Sequence, residues 1–214
     1  MRTLLGKKIV SELKEIPHSE LKFYLNNPRV YSTIKNLGNQ TTQEEIFEVL
    51  KKMEHVKNLK KEIKNEGGLI DPIFVNSRTN EVIEGNSRLA AWRLLSEDEP
   101  VRWEKISCEV LPEDITDDQI HSLLNTFHIK GKTPWRTFEQ AGYLWRLHKE
   151  EKKSINQLHD LSGIAPVTLN NYINTFQFML DNNLTDQSKF SHWLVLNTNK
   201  HIKKIKKDRP DFDQ

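Results

Sequence analysis

The residues best suited to binding an anion lie in the segment Glu84-Gly85-Asn86-Ser87-Arg88. This segment follows the apolar pair Val82-Ile83 and precedes an apolar helical pattern, so it is predicted to turn from a strand into a helix. Glycine permits such a turn, and the first N–H groups of a helix are free at its positive end. Arg88 could then make a bidentate contact to phosphate. The alternative is an ordinary turn in which Asn86 or Ser87 caps the helix.

A second set of candidate phosphate ligands lies shortly after residue 124. Asn125 and His128 stand at the end of a predicted helix, and Lys130 and Lys132 follow in a loop that contains glycine and leads to Trp135. These side chains could contact the phosphates of a nucleotide or of DNA. The alternative is a solvated loop between domains, held to the core by Trp135.

A pair of short helices is predicted between residues 154 and 180. Ser154 caps the first helix, Gly163 occupies the turn, and the inner side of the second helix is predicted to be Val167, Leu169, Tyr172, Ile173 and Phe176. Its outer side is predicted to be Thr168, Asn170, Asn171 and Asn174. Asparagine can form bidentate hydrogen bonds to adenine. Because this helix has no lysine or arginine, the phosphate contacts are expected from Lys149, Lys152, Lys153 and the basic tail, which includes Lys203 and Lys204. The alternative is a helical domain that binds protein.

Composition limits the class of protein. The chain has 214 residues, 36% of them apolar and 29% charged, with a formal net charge of +2 that neither requires nor excludes nucleic acid. Cys108 is the single cysteine, which excludes an intramolecular disulfide and a cysteine-based zinc site. The eight histidines are scattered, and no metal site is expected. With no signal-peptide pattern and no apolar run near about 18 residues, we expect a soluble cytoplasmic protein without a membrane partner.

The order of predicted elements changes along the chain. A helix capped by Thr41 or Thr42 and ended by Gly67-Gly68 is followed by strands at residues 69–75, 82–83 and 105–111. Only helices are predicted after that, near residues 117–127, 137–151, 154–161 and 167–180. We therefore expect domains at residues 1–115 and 116–183, followed by a polar basic tail at 184–214.

This order of elements resembles the N-terminal domain of ParB-type chromosome and plasmid partition proteins. The likeness rests on an Asn-Pro-Arg element at residues 27–29, a helix ending in glycines, a Pro-Ile-x-Val strand and Gly-Asn-Ser-Arg-Leu-Ala-Ala. Gly85, Arg88 and Ala91 match the family signature Gly-Glu-Arg-Arg-x-x-Ala, whereas Asn86 and Ser87 depart from it. Asn125 matches the family's second motif, Glu-Asn-x-x-Arg, whereas in this chain Leu124 replaces the glutamate and His128 replaces the arginine.

The resemblance implies an α+β ParB/sulfiredoxin-like domain with a small mixed sheet, followed by an all-α helix-turn-helix domain. It further implies a nucleoside triphosphate ligand, CTP or ATP, with Mg²⁺, and DNA as a partner. Sulfiredoxin chemistry is rejected because Asn86 stands where that family needs a cysteine thiolate.

The first functional hypothesis is a ParB-like DNA-binding protein with a nucleotide- or phosphate-binding N-terminal domain. The second is a nucleotide hydrolase or nuclease on the same fold, in phage defence, and the third is an adaptor without catalytic activity. A homodimer is also expected, because Trp193, Leu194 and Val195 lie in a short tail with little core of its own.

Overall fold

The computed structural model describes residues 2–36, 42–129 and 135–199. These residues form two compact units. The first contains the described residues within Met1–Val30 and Thr41–Thr126, and the second those within Tyr31–Gln40 and Phe127–Gln214. Within the described residues, the chain passes from one unit to the other between Val30 and Tyr31 and between Thr126 and Phe127. Among the described helices, none has the length and apolar character needed to cross a bilayer.

The first unit contains the strands. They are β1 Arg2–Leu4, β2 Lys7–Ile9, β3 Glu12–Pro17, β4 Lys22–Phe23, β5 Ile73–Asn76, β6 Glu81–Glu84 and β7 Lys105–Leu111. β1 and β2 form an antiparallel hairpin, and the other five form a sheet in the order β3-β7-β5-β6-β4. The pairs β3–β7 and β5–β6 are antiparallel, while β5–β7 and β4–β6 are parallel. The small mixed sheet predicted from the sequence is confirmed.

The helices that begin in the first unit are α1 Pro28–Asn36, α2 Gln43–Lys52, α3 Glu54–Glu66, α4 Asn86–Asp98 and α5 Asp117–His128. The sequence pattern predicts one continuous helix where α2 and α3 lie, and that prediction is wrong. Met53 between them is extended, with φ −72° and ψ 131°. The apolar spacing runs unbroken through Met53, so periodicity could not show the break. The predicted ends are right, because Thr42 and Glu45 form a capping box and Gly67 has φ 75°.

The second unit contains α6 Thr137–Lys149, α7 Ile155–Ser162, α8 Pro166–Asp181, a short 3-10 helix Gln187–Lys189 and α9 Phe190–Thr198. Its core joins aromatic side chains of different helices, since the Phe138 ring lies 5.4 Å from that of Phe176 and 5.9 Å from that of Phe190. The expected polar tail from residue 184 therefore includes a packed helix. Phe190 is 2% exposed and anchors this helix to the aromatic core of the second unit.

Candidate functional site

The candidate anion site is the N-terminus of α4, directly after β6. Gly85 joins the two elements with φ 101° and, as the N-cap residue, has no side chain with which to cap the helix. A Cβ atom at Gly85 would lie 2.5 Å from Ile73 Cγ2 and 2.9 Å from Ile73 Cβ. Both the backbone conformation and the space therefore require glycine here. The predicted strand-to-helix glycine turn is present, and it leaves the first N–H groups of α4 without a side-chain cap.

Arg88 points back onto its own unit. Its Nη1 donates to the main-chain oxygens of Asp71 at 2.6 Å and Pro72 at 3.2 Å, and its Nη2 donates to the Glu84 carboxylate. These contacts tie the start of α4 to the end of β6 and to the segment before β5. The guanidinium that the sequence offers to phosphate is thus engaged in holding the turn.

Glu84 is a buried carboxylate beneath the turn. Burial raises the pKa of Glu84 above its usual range, and the negative charge of Asp71 adds to the rise. The positive charges of Arg88 and Arg29 act in the opposite direction but are outweighed. Glu84 is therefore better placed to orient Arg88 than to meet an anionic ligand.

Asn86 has a structural role in the turn. Its Oδ1 accepts a hydrogen bond from Tyr24 N at 3.0 Å, and its Nδ2 donates to Val82 O at 2.6 Å. The side chain is 5% exposed. Both ends of the Asn86 amide are thus occupied by main-chain groups of the first unit.

Ser87 lies beside two residues that the sequence pattern did not single out as ligands. Ser87 Oγ lies 3.0 Å from His55 Nε2 on α3 and accepts a hydrogen bond from Arg29 Nη1 on α1 at 3.2 Å. Arg29 Nη1 is also 3.3 Å from His55 Nε2. All three side chains are half-buried. The structure therefore brings a guanidinium and an imidazole to the uncapped end of α4.

Arg29 is positioned by the local sequence before it. Asn27 Oδ1 accepts a hydrogen bond from Arg29 N at 3.1 Å, and Pro28 is the first residue of α1. Proline is favoured at that position because it has no N–H to leave unsatisfied. The Asn-Pro-Arg element thus starts a helix. It was the one signal that could have marked Arg29, whereas nothing in the spacing of α3 marked His55.

The second predicted set of ligands is divided between the two units. Asn125 lies in the first unit within α5 and is 2% exposed. His128 belongs to the second unit, where its ring stacks on Trp135 with centroids 4.5 Å apart and planes 14° apart. The packing role proposed for Trp135 as an alternative is consistent with this stack. Lys130 and Lys132 lie outside the described residues.

The helix pair α7 and α8 is joined by a tight glycine turn. Gly163 has φ 74° and donates its N–H to His159 O at 2.7 Å, and Ser154 forms a capping box with Gln157. Leu169, Ile173 and Phe176 are buried as predicted, whereas Tyr172 is half-buried and Val167, in the first turn of α8, is 71% exposed.

The predicted outer side of α8 is accessible. Asn170 and Asn174 are exposed, and Thr168 and Asn171 are half-buried. Asn170 Nδ2 donates to Pro166 O at 2.9 Å, so this amide is already used locally. Lys203 and Lys204 lie outside the described residues. Within the ranges that the structure describes, no group of three or more His, Cys, Asp or Glu residues is arranged to hold a metal ion.

No protein-family model matches the chain, and no curated protein matches its sequence. Among solved structures, it is similar to a Pnob8-like ParB-N domain at 14% identity and a TM-score of 0.45, over 95% of this chain and 76% of that one. It is similar to a C-terminally truncated chromosome-partitioning protein ParB from Caulobacter crescentus complexed to the centromeric parS site, at 12% identity and a TM-score of 0.44, over 91% and 90%. For the C-terminally truncated Caulobacter crescentus ParB complexed with CTP-γ-S, the identity is 13%, the TM-score 0.35 and the coverage 92% and 98%.

Proposed function

We propose that this chain is a ParB-like DNA-binding protein whose first unit binds a nucleotide or phosphate at the start of α4. The observation that carries the proposal is the uncapped helix N-terminus at Gly85, with Arg29 and His55 beside it. Free N–H groups and a positive helix dipole stabilise an anion, and a guanidinium adds charge-assisted hydrogen bonds.

The two arginines near the turn have different roles in this proposal. Arg88 is bound to Glu84 and to two main-chain oxygens, so it keeps the turn in shape. Arg29 is half-buried and reaches Ser87 Oγ at the helix end, so it contacts the phosphate. Ser87 and the N–H groups of the first turn supply the remaining donors.

The ligand is a nucleoside triphosphate, CTP or ATP, with Mg²⁺. Magnesium is held in such sites largely by phosphate oxygens and water, with one or two carboxylates. Glu84 is the carboxylate at the turn, but it is buried and paired with Arg88. The phosphates would therefore provide most of the ligands to the ion.

The second unit supplies the DNA contact in this proposal. The outer side of α8 exposes amides that can form bidentate hydrogen bonds to adenine. Lysines outside α8 would neutralise phosphates, including Lys203 and Lys204 in the basic tail. DNA affinity is dominated by such phosphate contacts and falls as salt rises.

Isothermal titration with CTP, ATP and inorganic phosphate, each with Mg²⁺, tests the nucleotide site. The wild type should bind at least one of the three, and Arg29→Ala should weaken that binding. Arg102→Ala is the matched control, because Arg102 is an exposed arginine of the same unit that pairs with Glu99. No binding of any of the three to the wild type, or equal loss in both variants, would refute the site.

A further inference from the structure

One edge of the sheet is the strand β3. It ends the order β3-β7-β5-β6-β4, so within the described residues it has a neighbour on one side. Residues 12–15 are all exposed, and Leu13 is 69% exposed. An edge strand directs alternate N–H and C=O groups away from the sheet, where they can pair with another strand.

The side chains of β3 carry an ordered charge pattern. Glu12 and Lys14 lie on one face of the strand and form an ion pair of 2.7 Å. Leu13 lies between them on the other face. Charges on an edge strand often deter pairing, but opposite charges flanking a central apolar residue also make the strand complementary to itself.

The register of a symmetric pair can be worked out from this pattern. In a two-fold antiparallel pair with a regular ladder, one residue lies opposite its own copy. With Leu13 in that position, Glu12 lies opposite the partner's Lys14, and Lys14 lies opposite the partner's Glu12. A shift of one residue in either direction sets Glu12 against Glu12 or Lys14 against Lys14, and like charges directly opposite are destabilising.

We propose that this chain associates with a second copy of itself by antiparallel pairing of β3, with Leu13 opposite Leu13. The two intrachain pairs then become four charges that alternate in sign on one face, and the two Leu13 side chains meet on the other. This β3 surface differs from residues 193–195 of α9, through which the sequence analysis expects a homodimer to form. It is also independent of nucleotide and DNA binding.

Charge variants of the full chain test this surface by sedimentation equilibrium at low salt. Glu12→Lys alone and Lys14→Glu alone each leave a single sign of charge on that face, so each should associate about tenfold more weakly than the wild type. An equimolar mixture of the two variants should restore association, because the opposite signs then face each other. Glu20→Lys changes the same charge at an exposed position outside β3 and should associate like the wild type.

A wild type that stays monomeric up to the highest soluble concentration would overturn the proposal. So would a dimer that Glu12→Lys and Lys14→Glu leave intact, since that dimer would use another surface. Recovery in the mixture but not in either variant alone is the expected result. Misfolding does not explain that pattern, because a misfolded variant would not recover on mixing.

Discussion

Arg88 donates to the carboxylate of Glu84 across the turn at Gly85, and also to the main-chain oxygen of Asp71 at 2.6 Å. Glu84 is the last residue of β6, and Arg88 is in the first turn of α4. The ion pair therefore connects the end of β6 to the first turn of α4 at the candidate anion site. The same contacts give Arg88 a structural role in the turn, and they make Glu84 a determinant of stability.

Replacing Glu84 by Gln should change how stability depends on pH. Because burial raises the pKa of Glu84, the folded protein binds this proton more tightly than the unfolded chain, whose glutamate has a pKa of about 4.3. The contribution of Glu84 is thus fully present below that pH and is lost as pH rises through the higher folded pKa. The free energy of unfolding of the wild type minus that of Glu84→Gln should fall as pH rises, measured by urea denaturation. A difference that grows with pH would show that Arg88 outweighs burial.

Gly85→Ala should destabilise the first unit by about 1–3 kcal/mol, from the positive φ and the overlap with Ile73. Gly68→Ala is the matched control, because a Cβ at Gly68 meets nothing within 4 Å. Chemical denaturation of the two variants measures both effects. Equal stability of the two would contradict the assignment of Gly85 as a required glycine.

Substitutions of the two arginines at the turn should have different effects, one mainly on the free energy of unfolding and the other mainly on phosphate binding. Arg88→Ala leaves Glu84 without its ion-pair partner in a buried position and should lower the free energy of unfolding by up to about 3 kcal/mol. Arg29→Ala should weaken phosphate binding by about 1.5–3 kcal/mol, the range for hydrogen bonds to charged groups, with a smaller effect on folding. Calorimetry and denaturation of the same two samples provide the measurement. The assignment fails if Arg88→Ala loses binding while its stability is unchanged.

An element of the fold was predictable from the sequence where its own residues carry the pattern that forms it. β7 has the predicted bounds, Lys105–Leu111, because Ile106 and Cys108 alternate with less buried residues along a strand. The bend at Met53 was not predictable, since the apolar period continues through it. α9 was missed for another reason. Phe190 is buried by aromatic side chains of other helices, which the local sequence does not display.

The candidate site was predictable in its backbone and less so in its side chains. Gly85 between a short apolar strand and a helix was enough to mark the turn. Arg29 and His55 reach Ser87 from α1 and α3, and tertiary packing of this kind leaves no trace in the spacing around residue 85. The structural contacts of Asn86 could not be predicted either, because its partners are main-chain groups of Tyr24 and Val82, which residue types do not mark.

The amides of α8 and the lysines of the basic tail should contribute differently to DNA binding. Asn171→Ala should cost about 1–3 kcal/mol on a preferred duplex and little on random DNA, because amides on the outer side of α8 would contact base edges. Replacing Lys203 and Lys204 by Gln should instead weaken binding to all sequences. It should also flatten the salt dependence of binding, because fewer phosphate contacts mean that fewer counterions are released when the protein binds. Fluorescence anisotropy at two salt concentrations, on a selected and a random duplex, distinguishes these effects. Asn156→Ala on α7 is the control for loss of an exposed amide. If the wild type does not bind duplex DNA at low salt, the DNA-binding proposal fails, and the exposed side of α8 is left as a surface for protein partners.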